Sequence, residues 1–145
     1  MRVDFYQLTR DPVEAVLPLI ARNTLAAGQR LLVVSSDPAQ LTRIGEGLWT
    51  RIPDSFLAHG MAGGEHDARQ PILLSGEVSA TNGARFVAFA DGEWREAGES
   101  FDRAFLLFND ATIEAARNLW RALSSREGME RHFWRQDGGK WKEVA

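Results

Sequence analysis

Two arginines and a tryptophan towards the end of the chain have the types and spacing of a small anion-binding site. Arg117 and Arg121 are four residues apart, with Trp120 between them, so on a helix the three side chains share a face about one turn tall. Guanidinium groups bind carboxylates through paired hydrogen bonds, and an indole offers a large amphipathic contact. Such a group could bind a carboxylate. The spacing alone, however, favours the ordinary interpretation, a solvated arginine pair beside a half-buried tryptophan packed on the sheet.

A second aromatic pair is Trp49 and Phe56, which are seven residues apart on either side of Pro53. The two rings could pack in the core where a helix ends, or they could line a pocket for an apolar ligand group. The spacing leaves both interpretations open.

Residue types for metal or nucleophilic chemistry are sparse. The chain has no cysteine, so it offers no thiolate nucleophile or ligand, and no Gly-x-Ser-x-Gly motif. None of the three histidines has a second histidine four residues away, the spacing of a helical zinc pair; they are His59, His66 and His132. We therefore expect no metal site and no cofactor, and nucleophilic catalysis has little support from the sequence.

Nucleotide binding is suggested by a chain that begins β-α-β-α, because a glycine-rich first turn in such folds holds a phosphate at a helix N-terminus. Here that turn, residues 9–12, contains no glycine and places Asp11 where the phosphate would lie. Gly138-Gly139-Lys140 is followed by Trp141, where a P-loop needs Ser or Thr. Both sites are disfavoured, and a small nucleotide-dependent enzyme on a doubly wound fold is kept as the alternative function.

Apolar runs and capping residues predict the elements that position these side chains. Asp11, followed by Pro12 and then Glu14, predicts a capping box, and Asp37-Pro38 predicts a second helix start. Strands are predicted at 3–8, 31–34, 71–74, 85–89 and 101–108, and helices at 12–27, 38–49 and 111–127. Between them we expect a proline turn at 51–55 and a long mobile or functional loop at 56–70. After 131 we expect an extra strand or an ordered arm. The alternation predicts one domain over 1–145, a three-layer α/β/α sandwich with a mostly parallel sheet.

Composition limits the classes of partner. With 17 basic and 20 acidic residues the formal charge is −3, and the pI is near 5.6, so any basic site must be local rather than a broad phosphate-binding surface. The absence of cysteine fits a reducing compartment, and no run approaches the roughly 20 apolar residues of a spanning helix. We therefore expect a cytoplasmic protein with no membrane contact.

Several stretches resemble the chi subunit family of bacterial DNA polymerase III, which is associated with the clamp loader. They keep the family's order along nearly the whole chain. They are Phe5-Tyr6-Gln7-Leu8, Leu48-Trp49-Thr50, Ser55-Phe56-Leu57-Ala58-His59, Pro71-Ile72-Leu73-Leu74, Ala116-Arg117 through Trp120-Arg121, and the tail with Trp134 and Trp141.

This resemblance implies a non-catalytic adaptor in DNA replication. Members bind the acidic C-terminal tail of single-stranded DNA-binding protein (SSB), which ends in Pro-Phe, and pair with the psi subunit of the clamp loader where it is present. Carried over by position, Arg117 and Arg121 receive the tail's carboxylates and Trp120 flanks them, while Trp49 and Phe56 line the pocket for the terminal Phe. Trp49, Phe56, Arg117 and Arg121 should then converge, and contact with DNA is indirect.

Direct binding of single-stranded DNA is a third hypothesis. It would use Trp120, Trp134 and Trp141, with nearby basic residues, as a stacking track.

Overall fold

The computed structural model describes residues 1–52 and 55–145, which form eight strands and three α-helices around one sheet. The strand order is β3-β4-β2-β5-β6-β1-β7-β8, and every neighbouring pair is parallel except the antiparallel pair β7 and β8. The elements are β1 (Arg2–Gln7), α1 (Val13–Ala26), β2 (Leu31–Val34), α2 (Pro38–Thr50), β3 (His59–Met61), a 3-10 turn (Asp67–Arg69), β4 (Ile72–Ser75), β5 (Phe86–Phe89), β6 (Arg103–Phe108), α3 (Ile113–Leu123), β7 (Glu130–Asp137) and β8 (Lys140–Glu143).

The central strands are apolar because both of their faces are covered, by α1 and α2 on one side and, on the other, by α3 together with residues between β4 and β6 such as Val78, Trp94 and Phe101. All four residues of β2 and of β4 are buried, as expected for parallel strands inside an α/β fold. Alternate residues along each strand point to opposite faces. In β1, Val3 and Phe5 pack on the α3 side, whereas Tyr6 packs on the α1 side, as does Leu8 just after the strand.

The helices make the outer layers. α1 and α2 contact each other on one face of the sheet, and α3 packs against β6 on the other. The predicted three-layer α/β/α sandwich with a mostly parallel sheet is confirmed. Pro18 is buried inside α1 and does not end the helix.

The predicted capping box at Asp11 is wrong. Pro12 is the N-cap of α1 and no side chain caps the helix. Backbone N–H groups of Thr9, Arg10 and Asp11 instead donate to a single acceptor, Oε1 of Gln136 on β7, at 3.3, 3.1 and 3.2 Å. Gln136 Nε2 in turn donates to Asp11 Oδ2 at 2.6 Å. Asp11 therefore bonds to Gln136, which is 125 residues away in the sequence, and does not cap the helix.

Other local predictions are confirmed. Asp37 Oδ1 accepts the N–H of Ala39 at 3.0 Å, with Pro38 opening α2. Gly28, the predicted C-terminal end of α1, has a φ of +77°, and its N–H donates to Leu25 O.

Three predicted segments are corrected by the structure. The predicted loop at 56–70 contains β3, paired with β4 at the sheet edge. The predicted helix at 111–127 is shorter, Ile113–Leu123, and the tail forms two strands rather than one. Of the predicted proline turn at 51–55, Pro53 and Asp54 lie outside the described residues.

None of the helices in the described part of the chain has the length and apolar character needed to cross a bilayer.

Candidate functional site

A small pocket lies where α3 crosses the ends of β1 and β7. Its volume is about 240 Å³, and Trp120 and Phe133 form its apolar wall. Trp120 is half-buried because its ring packs edge-on against Phe5, with centroids 5.3 Å apart, and against Phe133 at 5.6 Å. The indole is therefore held by the core on one side and available to a ligand on the other. We call this the α3 pocket; its lining residues are Gln7, Arg117, Trp120, Arg121, Phe133, Arg135, Val144 and Ala145.

Three arginines surround this apolar wall. Arg117 is partly engaged, since its Nη1 donates to Glu114 Oε1 at 3.1 Å. Arg121 donates to the amide oxygen of Asn118 at 3.0 Å. Arg135 donates to the amide oxygen of Gln7 at 3.2 Å. Among the described residues, neither Arg121 nor Arg135 has a carboxylate within ion-pair distance, so both retain charge for an anionic ligand.

A fourth arginine positions Trp120. The Arg131 guanidinium lies 4.1 Å from the centroid of the Trp120 ring and donates to the Trp120 carbonyl at 2.6 Å. A cation over the indole face is attracted by the ring quadrupole. Arg131 therefore fixes the indole plane and adds positive charge beneath the pocket wall.

Sequence reasoning missed Arg135, Phe133 and Arg131 as parts of this site. Their alternation along β7 puts the three side chains on the α3 face, where they contact α3 residues that are near one another in sequence. The period-2 pattern of residues 131, 133 and 135 was the available signal, but only the strand assignment reveals it.

Trp134 and Trp141 lie on the opposite face of the sheet from Trp120. Both contact Tyr6, with centroid distances of 6.3 and 5.1 Å. Trp134 Nε1 also donates to Asp4 Oδ1 at 3.0 Å. The three tryptophans therefore do not form one continuous stacking track.

Asp4 is a fully buried carboxylate beside these rings. Burial alone would raise its pKa, but hydrogen bonds from Arg2, Arg103 and Trp134 outweigh burial and lower the pKa below its usual value. The Asp4 carboxylate thus ties β1, β6 and β7 together, a structural role away from the α3 pocket.

Trp49 and Phe56 form a separate exposed cluster beside β3. Their rings are 5.6 Å apart, and Trp49 also lies 4.7 Å from His59. Trp49 is 54% exposed and Phe56 is 78% exposed. Met61 is half exposed and lies on the same strand face as His59. We call Trp49, Phe56, His59 and Met61 the β3 patch.

The expected convergence of Trp49 and Phe56 with Arg117 and Arg121 is not found. The β3 patch adjoins α2, on the face of the sheet opposite α3, and β3 lies five strand spacings from β1, or about 24 Å at about 4.8 Å per strand. Arg117, Trp120 and Arg121 come together, whereas Trp49 and Phe56 meet only each other and their neighbours. The five residues do not line one pocket.

A larger cleft, of about 660 Å³, lies at the carboxyl ends of β1 and β6, the place where α/β folds bind ligands. Its two arginines are already paired, Arg10 with Asp11 at 3.3 Å and Arg43 with Glu14 at 3.7 Å. Asp110 adds a further carboxylate. The N–H groups that would hold a phosphate are occupied by Gln136. The cleft therefore has the position of a nucleotide site without its anion-binding groups.

No group of three or more His, Cys, Asp or Glu side chains in residues 1–52 and 55–145 is placed to hold a metal ion.

Comparison with known proteins identifies the family. The model of the DNA polymerase III chi subunit family, HolC, matches residues 1–130. The chain belongs to the DNA polymerase III chi subunit family. DNA polymerase III subunit chi of Escherichia coli K12 is 24% identical over 128 residues, covering 81% of this chain and 87% of that relative. The resemblance inferred from the sequence is confirmed, and membership of the family supports an accessory role in DNA replication.

The family match ends where β7 begins. Arg117, Trp120 and Arg121 lie inside the matched residues, but Phe133 and Arg135 lie beyond them. One wall of the α3 pocket is therefore built by chain outside the family model.

Proposed function

We propose that this chi family member is a non-catalytic adaptor whose α3 pocket binds the acidic C-terminal tail of SSB. The observation that supports this most directly is an apolar wall surrounded by arginines. Trp120 and Phe133 can contact an aromatic side chain, while Arg121 and Arg135 offer bidentate donors to a terminal carboxylate. A peptide that ends in Phe presents both groups on one residue.

The size of the pocket also favours a peptide terminus. About 240 Å³ is below the roughly 300–1,000 Å³ of sites that enclose whole small-molecule ligands. One aromatic side chain with its carboxylate is the kind of ligand that a partly open pocket of this volume can hold. The remaining residues of the tail would lie outside it.

We propose further that the β3 patch contacts a second protein, the psi subunit where the cell has one. Exposed Trp and Phe side chains are typical of interaction hot spots, and clustered exposed apolar residues mark protein interfaces. Trp49 and Phe56 expose most of their surface although they touch each other. Because the patch and the α3 pocket are on opposite faces of the sheet, both partners can bind at once, as an adaptor requires.

Calorimetric titration with a synthetic acidic peptide ending in Pro-Phe tests the first proposal. We expect binding that is lost when the final Phe is removed. Arg121→Ala should weaken binding by about 1.5–3 kcal/mol, the range for hydrogen bonds to charged groups. Arg22→Ala, which removes an exposed arginine from α1 on the other face, is the matched control and should bind like the unchanged protein.

Equal affinity for the peptides with and without Phe would refute the pocket assignment. An unchanged affinity of Arg121→Ala would reject the role of that arginine alone. Thermal unfolding of each variant shows that the protein titrated is folded.

A further inference from the structure

The β7–β8 hairpin carries basic residues on the same face as the α3 pocket. In its antiparallel register Arg135 is opposite Lys142, and Asp137 is opposite Lys140. Directly opposed residues of an antiparallel pair project to the same face. Because Arg135 lines the α3 pocket, Lys142 and Lys140 face the same side as that pocket. We call Arg135, Lys142 and Lys140 the hairpin strip.

The strip is continuous with the pocket. A second cavity, of about 290 Å³, shares two lining residues with the α3 pocket, Arg135 and Val144. Lys142 also lines this second cavity. A peptide that leaves the α3 pocket past Arg135 would therefore enter a cavity lined by Lys142.

The charge on this face is predominantly positive. All three residues of the strip are exposed, and on the described hairpin Asp137 is the carboxylate that shares their face. Glu143 is opposite Trp134, so it projects to the other face, where it contacts His132 at 3.0 Å. Three cations against one carboxylate complement an acidic extended peptide.

We propose that the hairpin strip binds the acidic residues that precede the terminal Phe of the tail, while the α3 pocket holds the Phe itself. This rests on the proposed function and assigns the rest of the ligand to residues beyond the family match. The pocket would set the requirement for Phe, and the strip would set the preference for acidic residues before it.

The test compares two double variants of equal charge change. Lys140→Gln with Lys142→Gln removes two of the strip's three cations, whereas Arg22→Gln with Arg69→Gln removes two exposed arginines elsewhere. Both are titrated with the acidic Pro-Phe peptide and with a version whose acidic residues are replaced by serine. We expect the strip variant to bind the acidic peptide about fivefold more weakly than the control variant, because it loses two exposed ion pairs with the peptide and each such pair contributes little.

The strip variant should also show a weaker dependence of affinity on salt, because fewer charges are neutralised on binding. Its affinity for the serine peptide should equal that of the control variant. Equal binding of the acidic peptide by the two variants overturns the proposal for the strip. Failure of the unchanged protein to distinguish peptides with and without Phe overturns the proposed function instead, so the two failures are distinguishable.

Discussion

Replacing Gln136 with alanine should destabilise the protein by about 2–4 kcal/mol. The side chain is 5% exposed, accepts three backbone N–H groups of the β1–α1 loop and donates to Asp11. Each hydrogen bond lost contributes about 1 kcal/mol net, and the exposed loop allows water to replace part of what is removed. Alanine leaves the three N–H groups without their common acceptor and Asp11 without the donor Nε2.

Urea denaturation at pH 7 measures the loss, and amide hydrogen exchange locates it. The amides of residues 9–11 should exchange faster in Gln136→Ala, while those of the distant strand β4 should change only as global stability changes. Gln136→Glu is the informative second variant, because its carboxylate would lie beside that of Asp11. Like charges raise the pKa of such a pair, so this variant should gain stability as the pH falls through that raised pKa.

A loss below about 0.5 kcal/mol in Gln136→Ala, the range of an ordinary surface substitution, would refute the reasoning. Unchanged exchange at residues 9–11 would also refute it, since the three N–H groups would then not depend on Gln136.

The other predictions concern pH, the β3 patch and the cleft. Burial alone would raise the pKa of Asp91, but hydrogen bonds from Arg95 and from the N–H groups of Ser36 and Glu93 outweigh this effect and lower the pKa from 3.8 to about 2. The ionised carboxylate therefore stabilises the fold by about 1–2 kcal/mol after solvent screening. This stability is present above pH 4 and is lost as the pH falls through 2. The difference in unfolding free energy between the unchanged protein and Asp91→Asn, measured by urea titration, should therefore shrink over that range, and a constant difference would contradict it. Phe56→Ser should leave the affinity for the Pro-Phe peptide unchanged and cost less than about 1 kcal/mol in thermal unfolding, because the ring is 78% exposed; weaker peptide binding would return Phe56 to the tail site. ATP and NAD at millimolar concentration should produce no shift in melting temperature, and a clear stabilisation would revive the enzyme alternative.

Much of the fold could be predicted because its signals are local. The apolar run of β2 and the Asp37-Pro38 cap each depend on a few adjacent residues. The alternation of strands and helices could therefore be predicted from the sequence. The role of Asp11 was not, because its partner Gln136 is 125 residues away. Tertiary hydrogen bonding replaced the local capping preference there.

Half of the candidate site could be predicted for the same reason. Arg117, Trp120 and Arg121 share one helix turn, which the spacing shows directly. Arg135 reaches them only through the pairing of β7 with β1. The separation of Trp49 and Phe56 from the arginines depends on which face of the sheet each helix covers, and composition and spacing carry no information about that choice.

The placement of β1 has a consequence for synthesis on the ribosome. β1 is made first, yet its two neighbours are β6 and β7, about 100 and 130 residues later in the chain. Until both emerge, β1 has no partner, and closing loops of that length carries an entropic cost that slows folding. The α3 pocket draws on β1, α3 and β7 together. A nascent or truncated chain therefore lacks the pocket, and only a finished molecule can compete for the proposed partner.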